Sequence, residues 1–246
     1  MRVLLDPRRP SRPGERVAAG ELERLYAPSQ RRWVRSNMVT TLDGSAVGSD
    51  GRSGSVNTAA DGKVFGLLRD HADAVVAGAG TMRDEGYRRV APTRRSPVPP
   101  ALVAVTRSGR VPEGLRTPTQ GRGEGLLVTC EAAGTDRLSR ARSVLGEENV
   151  LVCGDARVDL SGAVDALAAR GLTRLLLEGG PSLLATALEA GVVDEMAVTV
   201  VPTVVGGDFP RIVTGPPLAV PDGVALRPHL LLEESGTLLG LWRVRR

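Results

Sequence analysis

Two stretches place glycines where a buried strand gives way to a helix: DAVVAGAGT over residues 73–81 and LLLEGGPSLL over residues 175–184. At such junctions backbone N–H groups and the positive end of the helix face outward. A residue without Cβ lets the backbone come close to a pyrophosphate. In an open α/β sheet the ligand crevice lies at these strand ends. Glycine at a strand–helix junction also serves as a plain turn, so one such stretch carries little, and two together point to a nucleotide. Neither is a GxGxxG fingerprint. Lys63 is the only lysine of the chain and has no GxxxxGK ahead of it, which excludes a P-loop NTPase.

Two acids stand near strand ends. Glu178 closes the run Thr173–Leu177 and immediately precedes Gly179 and Gly180, a poor position for mere solvation. Simple pairing with an arginine is the competing reading. Asp43 lies in an LDG triplet after the first long strand and equally suits a turn in which Gly44 takes a positive φ. His71, at a helix C-terminus, and His229, in the tail, have no Cys, His or Asp at ligand spacing. Cys130 and Cys153 form no CxxC, so neither a zinc site nor a disulfide framework is expected, and a GxSxG elbow is missing.

The chain has 246 residues and a net charge of +4, and its basicity is almost all arginine. Pairs such as Arg8–Arg9, Arg31–Arg32, Arg88–Arg89 and Arg94–Arg95 are spread along the chain. With two Trp, two Tyr and two Phe there is no stacking platform, so no nucleic-acid partner is expected, while a small phosphorylated ligand fits. No run approaches the ~18 apolar residues of a membrane span, and the N-terminus lacks the apolar core of a signal peptide. A cytoplasmic location is the expectation.

The elements that must position these residues alternate. Residues 1–30 read as an N-terminal arm with one helix-like stretch, and 31–246 as a single domain. WVRSNMVTTL reads as a strand, followed by a Gly/Ser-rich loop and the helix TAADGKVFGLLRDHA. Thr58 and Asp61 have capping-box spacing, and Val64, Phe65, Leu67 and Leu68 give that helix an apolar face. Strands follow at 73–78, 101–106, 125–129 and 149–153, with a proline-broken segment at 92–100. One helix ends near Gly146 and another at Gly171; TRLLLEGG then runs into a helix opened by Pro181. DEMAVTVVP is a further strand, and the tail folds as a hairpin turning at Glu234–Gly236. This pattern predicts an α/β fold: a mostly parallel central sheet flanked by helices, with a C-terminal antiparallel hairpin.

NMVTTLDG, FGLLRDHADAVVAGAGT and GLTRLLLEGGPSLLATALEAGVVDEMAVTVVPTVVGG, in that order, resemble the reductase domain of bacterial riboflavin biosynthesis. That domain has the dihydrofolate reductase-like fold and is usually fused behind a pyrimidine deaminase. The resemblance covers residues 33–244. The deaminase's zinc motifs, H-x-E and P-C-x-x-C, are missing, so the likeness is to a stand-alone reductase. It implies NADPH-dependent reduction of a ribosylamino-pyrimidinone phosphate to the ribitylamino product. It also implies a small-molecule phosphorylated pyrimidine as partner and a homodimer.

Carried over by motif, Gly179, Gly180, Pro181, Ser182 and Leu183 match the family's cofactor-phosphate turn, and Gly78, Gly80 and Thr81 its second cofactor turn. Glu178 matches a substrate-contacting glutamate, Asp43 the aspartate at the reaction centre, and Arg69 a substrate-binding arginine. Thr106 and Arg107 fall where this fold meets the NADP 2′-phosphate, which arginine can bind bidentately. Family members often carry a lysine six residues before the LDG aspartate. Here that residue is Asn37, which can still orient a polar substrate by hydrogen bonds. A tryptophan often found before the helix is also missing, with Val56 nearby. The lysine's absence keeps two alternatives open: a reductase of another pterin-like or pyrimidine-like ring such as dihydrofolate, and a non-catalytic NADP-binding protein.

Overall fold

The computed structural model describes residues 1–9, 13–18, 20–116 and 119–245. Ten strands form one sheet: β1 (Arg2–Leu5), β2 (Trp33–Thr41), β3 (Ala74–Gly78), β4 (Ala101–Val105), β5 (Gly125–Thr129), β6 (Val150–Val152), β7 (Arg174–Leu177), β8 (Glu195–Val201), β9 (Leu226–Glu234) and β10 (Thr237–Val244). Their order across the sheet is β1-β9-β10-β8-β2-β7-β3-β4-β5-β6. From β8 to β6 every neighbouring pair is parallel, whereas β10 joins β8 and β9 antiparallel. This is the mostly parallel sheet with an antiparallel hairpin expected above.

The strands of the parallel core are short apolar runs buried on both faces, as their sequences require. On one face Val75, Ala77, Leu102, Ala104, Leu127 and Leu176 pack under α1 (Glu21–Tyr26), α2 (Ala59–Asp70), α3 (Ala79–Asp84), α4 (Glu113–Arg116) and α5 (Thr135–Leu145). On the other, Val76, Val103, Leu126, Val128, Leu175 and Leu177 meet α6 (Leu160–Ala169) and α7 (Pro181–Glu189). The helices start and stop where their end residues dictate. The Thr58 hydroxyl accepts from Asp61 N at 3.2 Å, Asp159 caps α6 through Ser161 N at 3.0 Å, and Pro181 occupies the first turn of α7. Gly146, at φ 96°, closes α5.

The region expected as an N-terminal arm is built into this body. β1 extends the sheet beyond β9, with Val3 fully buried, and Leu25 and Tyr26 of α1 enter the same core as α2. Pro10–Arg12 and Ala19 of that region, together with Thr117, Pro118 and Arg246, lie outside the described residues. The hairpin turns through Ser235 (φ 53°) and Gly236 (φ 82°), both left-handed, as a two-residue turn matched to strand twist requires.

The chain leaves neighbouring strands β3 and β7 toward opposite faces, into α3 and α7 respectively. Such a reversal opens a crevice at the carboxyl ends of the strands.

Candidate active site

The two glycine junctions meet at that crevice. Gly78 N donates to Gly179 O at 2.8 Å, and the Gly179–Gly180 peptide is cis. A Cβ on Gly180 would lie 2.5 Å from the Thr81 hydroxyl, so only glycine fits there against α3. Neither α3 nor α7 has a side-chain cap. In α7 Pro181 has no N–H and Leu183 N donates to Gly180 O at 2.9 Å, which leaves the Ser182 N–H for another acceptor, as the uncapped start of α3 leaves its own. This paired, uncapped, Cβ-free backbone suits the pyrophosphate of a dinucleotide. Gly80, Thr81, Gly180, Pro181 and Leu183 are half-buried and Ser182 is exposed, so the segment is accessible.

Register extends the surface to the next strand. Gly78 pairs with Val105, which puts Thr106 and Arg107 beside the first glycine turn. The Thr106 hydroxyl is 3.1 Å from that of Ser108, and Arg107 is exposed, with no side-chain partner among the described residues.

A cavity of about 610 Å³ lies over the α2 face of β2 and β7, within the range of small-molecule sites. Glu178 reaches it because it follows Leu177, which points the other way. Its side chain is 1 % exposed. Arg69 Nε and Nη2 donate to its two carboxylate oxygens at 2.7 Å each, and the Tyr87 hydroxyl donates at 2.8 Å. Three donors leave about one of the roughly four acceptor positions of a carboxylate unfilled. The Arg69 guanidinium lies 4.3 Å from the Phe65 ring centroid. Burial works against the Arg69 charge, but the Glu178 hydrogen bond and its charge outweigh it and hold the guanidinium above its ordinary pKa. Burial, reinforced by the Glu178 charge, raises the Tyr87 phenol and keeps it protonated.

Asn37 also lines the cavity, buried on β2, with no side-chain hydrogen-bond partner among the described residues. Ala46, Ser53 and Gly54 roof one side. Ser53 is latched to Glu85 by its N–H at 3.0 Å and its hydroxyl at 2.9 Å. The rim carries Arg88, Arg89 and Arg122. Arg89 donates to Leu115 O at 2.7 Å and Arg122 to Arg89 O at 2.6 Å, while Arg88 is exposed.

The structure thus brings Asn37, Arg69 and Glu178 together, and the turns at 78–81 and 179–183 beside them. Asp43 lies outside the cavity lining. Its carboxylate is exposed and accepts from the Thr41 hydroxyl and from Val205 N at 3.1 Å and Gly206 N at 2.8 Å. Those bonds hold it below the usual carboxylate range, led by the one from Thr41. Gly44 takes φ 93°, so the turn reading of the LDG triplet is the one this geometry realises. Asp43, expected at the reaction centre, ties the end of β2 to the loop after β8. Sequence reasoning missed Tyr87, which no spacing marks. It also placed Phe65 on the apolar face, although Phe65 shares its stripe with Asp61 and Arg69 four residues to either side.

His71 and His229 serve the fold. His71 Nδ1 is 3.3 Å from Tyr26 O, and burial lowers its pKa. His229 lies 3.0 Å from Arg243 Nη2; burial, then the Arg243 charge, pushes it down to about 4. Among the described residues no three His, Cys, Asp or Glu side chains group as a metal site, and no helix is long and apolar enough to cross a membrane.

Comparison with known proteins gives the family of the chain. The family model of the RibD C-terminal domain matches residues 32–237. The 2,5-diamino-6-ribosylamino-4(3H)-pyrimidinone 5′-phosphate reductase of Methanothermobacter thermautotrophicus is 31% identical over 211 residues, covering 85% of this chain and 94% of that protein. The reductase of the same name from Archaeoglobus fulgidus is 26% identical over 75% of this chain and 87% of its own length. A pyrimidine reductase-like protein from Corynebacterium diphtheriae superposes with a TM-score of 0.77 at 26% identity, over 92% of this chain and 99% of that one. With its paired glycine turns beside a cavity closed by Glu178 and Arg69, the chain belongs to the RibD C-terminal domain family.

Proposed function

We propose that this chain is an oxidoreductase of riboflavin biosynthesis that uses NADPH to reduce a ribosylaminopyrimidinone phosphate to its ribitylamino product. The observation that carries the reading is the placement of Glu178. Its side chain, held by Arg69 and Tyr87, closes a cavity of substrate size, and the next two residues in the chain form the glycine turn. The names of the relatives supply the substrate class.

When bound, the reduced nicotinamide supplies the hydride that C1′ of the opened sugar accepts. The chain's own residues bind and orient. N–H groups of Gly80 and Thr81 and of Gly179, Gly180 and Ser182 hold the pyrophosphate, with Gly78 joining the two turns through its bond to Gly179 O and Pro181 and Leu183 shaping the second. Thr106 and Arg107 meet the 2′-phosphate that distinguishes NADPH from NADH. Glu178 accepts a sugar hydroxyl at its remaining acceptor position, and Arg69 offers the N–H groups that Glu178 leaves unused. Asn37 donates a hydrogen bond from its amide N–H to the imine nitrogen, which takes its proton from solvent as C1′ is reduced. The exposed Arg88 on the cavity rim faces the substrate phosphate. The roof at Ala46, Ser53 and Gly54 keeps water from the reacting carbon. Asp43 acts on the substrate only through the loop it holds.

The test is to mix protein, NADPH and the ribosylaminopyrimidinone phosphate and to follow loss of the reduced-nicotinamide absorbance. Turnover is expected. Tight NADPH binding without turnover would overturn the substrate, and no NADPH binding would overturn the whole reading. The enzyme works as a cytoplasmic homodimer in this reading; a single-chain mass in light scattering would refute the dimer.

A further inference from the structure

On the face of the sheet that carries α3 and α5 lies a second concavity, an open groove of about 1100 Å³. It shares no lining residue with the cavity closed by Glu178. The loop after β4 is fastened to the start of α5 at Gly109. Its φ is 65°, and a Cβ there would lie 2.9 Å from the Cβ of Ala133 and 3.4 Å from that of Arg137, so only glycine allows the approach. Arg110 is thereby brought to the same groove as Arg137 and Arg140. On α5, Arg137, Arg140, Ala141 and Val144 are three or four residues apart and share a face. Charge in the groove is one-sided: Arg83, Arg110, Arg116, Arg137 and Arg140 line it against a single acid, Glu113. That excess equals the +4 carried by the whole chain. Glu113 pairs with Arg116 at 3.4 Å, and Arg83 donates to Ala79 O at 3.1 Å. Arg110, Arg137 and Arg140 are exposed, with no ion pair or side-chain hydrogen bond among the described residues. Elsewhere arginines are answered by acids, as Arg35 is by Glu195 and Arg174 by Asp73. Like charges gathered around one concavity repel, so folding alone gains nothing from them. Between them lie Val111, Pro112, Ala141 and Val144, the last 43 % exposed.

We propose that this groove docks an acidic segment of a partner protein, one that interleaves carboxylates with aliphatic side chains. The carboxylates pair with Arg110, Arg137 and Arg140, and the aliphatic side chains cover Val111, Pro112 and Val144. Charge complementarity selects this occupant: arginine clusters recognise acidic motifs through the guanidinium fork. A nucleotide or nucleic acid suits the groove less, because no aromatic side chain lines it to stack a base. Its volume is also above the roughly 300–1,000 Å³ of small-molecule pockets. The apolar strip between the arginines is the part that free solvated charges would not need, and it is the part that an aliphatic side chain would cover.

The test is fluorescence polarisation on the full chain with three labelled probes: a peptide of Glu-Asp-Leu repeats, the same peptide with Ser in place of Leu, and an oligo-uridylate of matched charge. The leucine peptide is expected to bind with a Kd on the order of 10 µM and to be released by added salt. Arg137→Glu combined with Arg140→Glu should weaken it at least about tenfold. Glutamate is a good helix former and suits the first turns of α5, and Arg137→Gln with Arg140→Gln serves if the reversal does not fold. Arg227→Glu combined with Arg245→Glu changes the net charge equally at exposed residues outside the groove, and should weaken binding less than about twofold. No binding of the leucine peptide, equal binding of the serine peptide, tighter binding of the oligonucleotide, or equal losses in the two reversed variants would each overturn the proposal. Displacement of the peptide by NADP⁺ would overturn it too, by giving the groove's arginines to the cofactor.

Discussion

Arg69 and Glu178, 109 residues apart in the chain, meet through two parallel N–H···O bonds of 2.7 Å each. Fork-to-fork geometry of this kind fixes both planes at once. Glu178→Gln turns one acceptor into a donor facing Arg69 and leaves the guanidinium without its counter-charge. The expected result is a loss of about 100-fold in kcat/KM with a stability loss of about 1–3 kcal/mol. Steady-state kinetics and urea unfolding measure the two separately. Unchanged turnover would make Glu178 a structural residue only.

Gly180→Ala puts a methyl group 2.5 Å from the Thr81 hydroxyl, a short branched side chain with little room to yield. The two glycine turns must then part. NADPH affinity is expected to fall at least about tenfold, since backbone donors must sit within hydrogen-bond distance of the phosphates. Thr81→Ala in the same chain removes the obstruction and should restore part of the lost thermal stability. Fluorescence titration of NADPH into each variant decides it; equal affinities would reject the turn as the cofactor cradle.

Asp73 ties the amino ends of β3 and β7. Its carboxylate accepts from Thr173 N at 3.0 Å and Arg174 N at 2.8 Å, and pairs with the Arg174 guanidinium. Burial works to raise its pKa, but the bonds from Arg174 and Thr173 together prevail and lower it. A depressed carboxyl contributes stability above its unfolded pKa, near 3.8, and loses it as pH falls through the folded value. Asp73→Asn should therefore cost about 1–3 kcal/mol at pH 7 and much less well below pH 3.8. Activity per folded molecule should be unchanged, since the glycine turns lie at the opposite strand ends. Urea unfolding at the two pH values checks the stability claim.

For Asp61 the sign is opposite. Its pKa is raised, so in the ligand-free protein the charged form becomes a burden as pH climbs through that value. Asp61→Asn is expected to unfold at a higher temperature than the wild type at pH 7. The gap should close as the pH is lowered toward the range where Asp61 takes up a proton. A wild type that remains the more stable of the two at pH 7 would mean that the carboxylate is paid for by a partner within the fold.

Much of this was legible in the sequence, for local reasons. The strands around 73–78 and 173–177 announce themselves as short apolar runs stopped by glycine, and Pro181 marks the start of α7. Glu178 was legible by position alone, because an acid at the end of a buried run needs a partner. Asp61 was hidden by its own spacing to Thr58, which mimics an ordinary helix cap. Half of that cap forms, through the backbone N–H, while the carboxyl turns inward. Tyr87 was hidden because its partner is 91 residues away and the loop that carries it has no periodicity. Asp43 was ambiguous, because a turn and a reaction centre favour the same LDG triplet. β1 was illegible for a different reason: four residues acquire a register only from the hairpin at the far end of the chain.

That last pairing governs the order in which the molecule can be completed. β1 precedes β9 and β10 in the chain by more than 200 residues, yet the edge it covers belongs to β9, and β9 is joined to the rest of the sheet only through β10. Until β9 and β10 are in place, Val3 has no place to bury and the β8 flank stays open. A chain cut short by even one strand of the hairpin therefore loses both ends of the sheet's antiparallel side at once, exposing strand edges that invite aggregation.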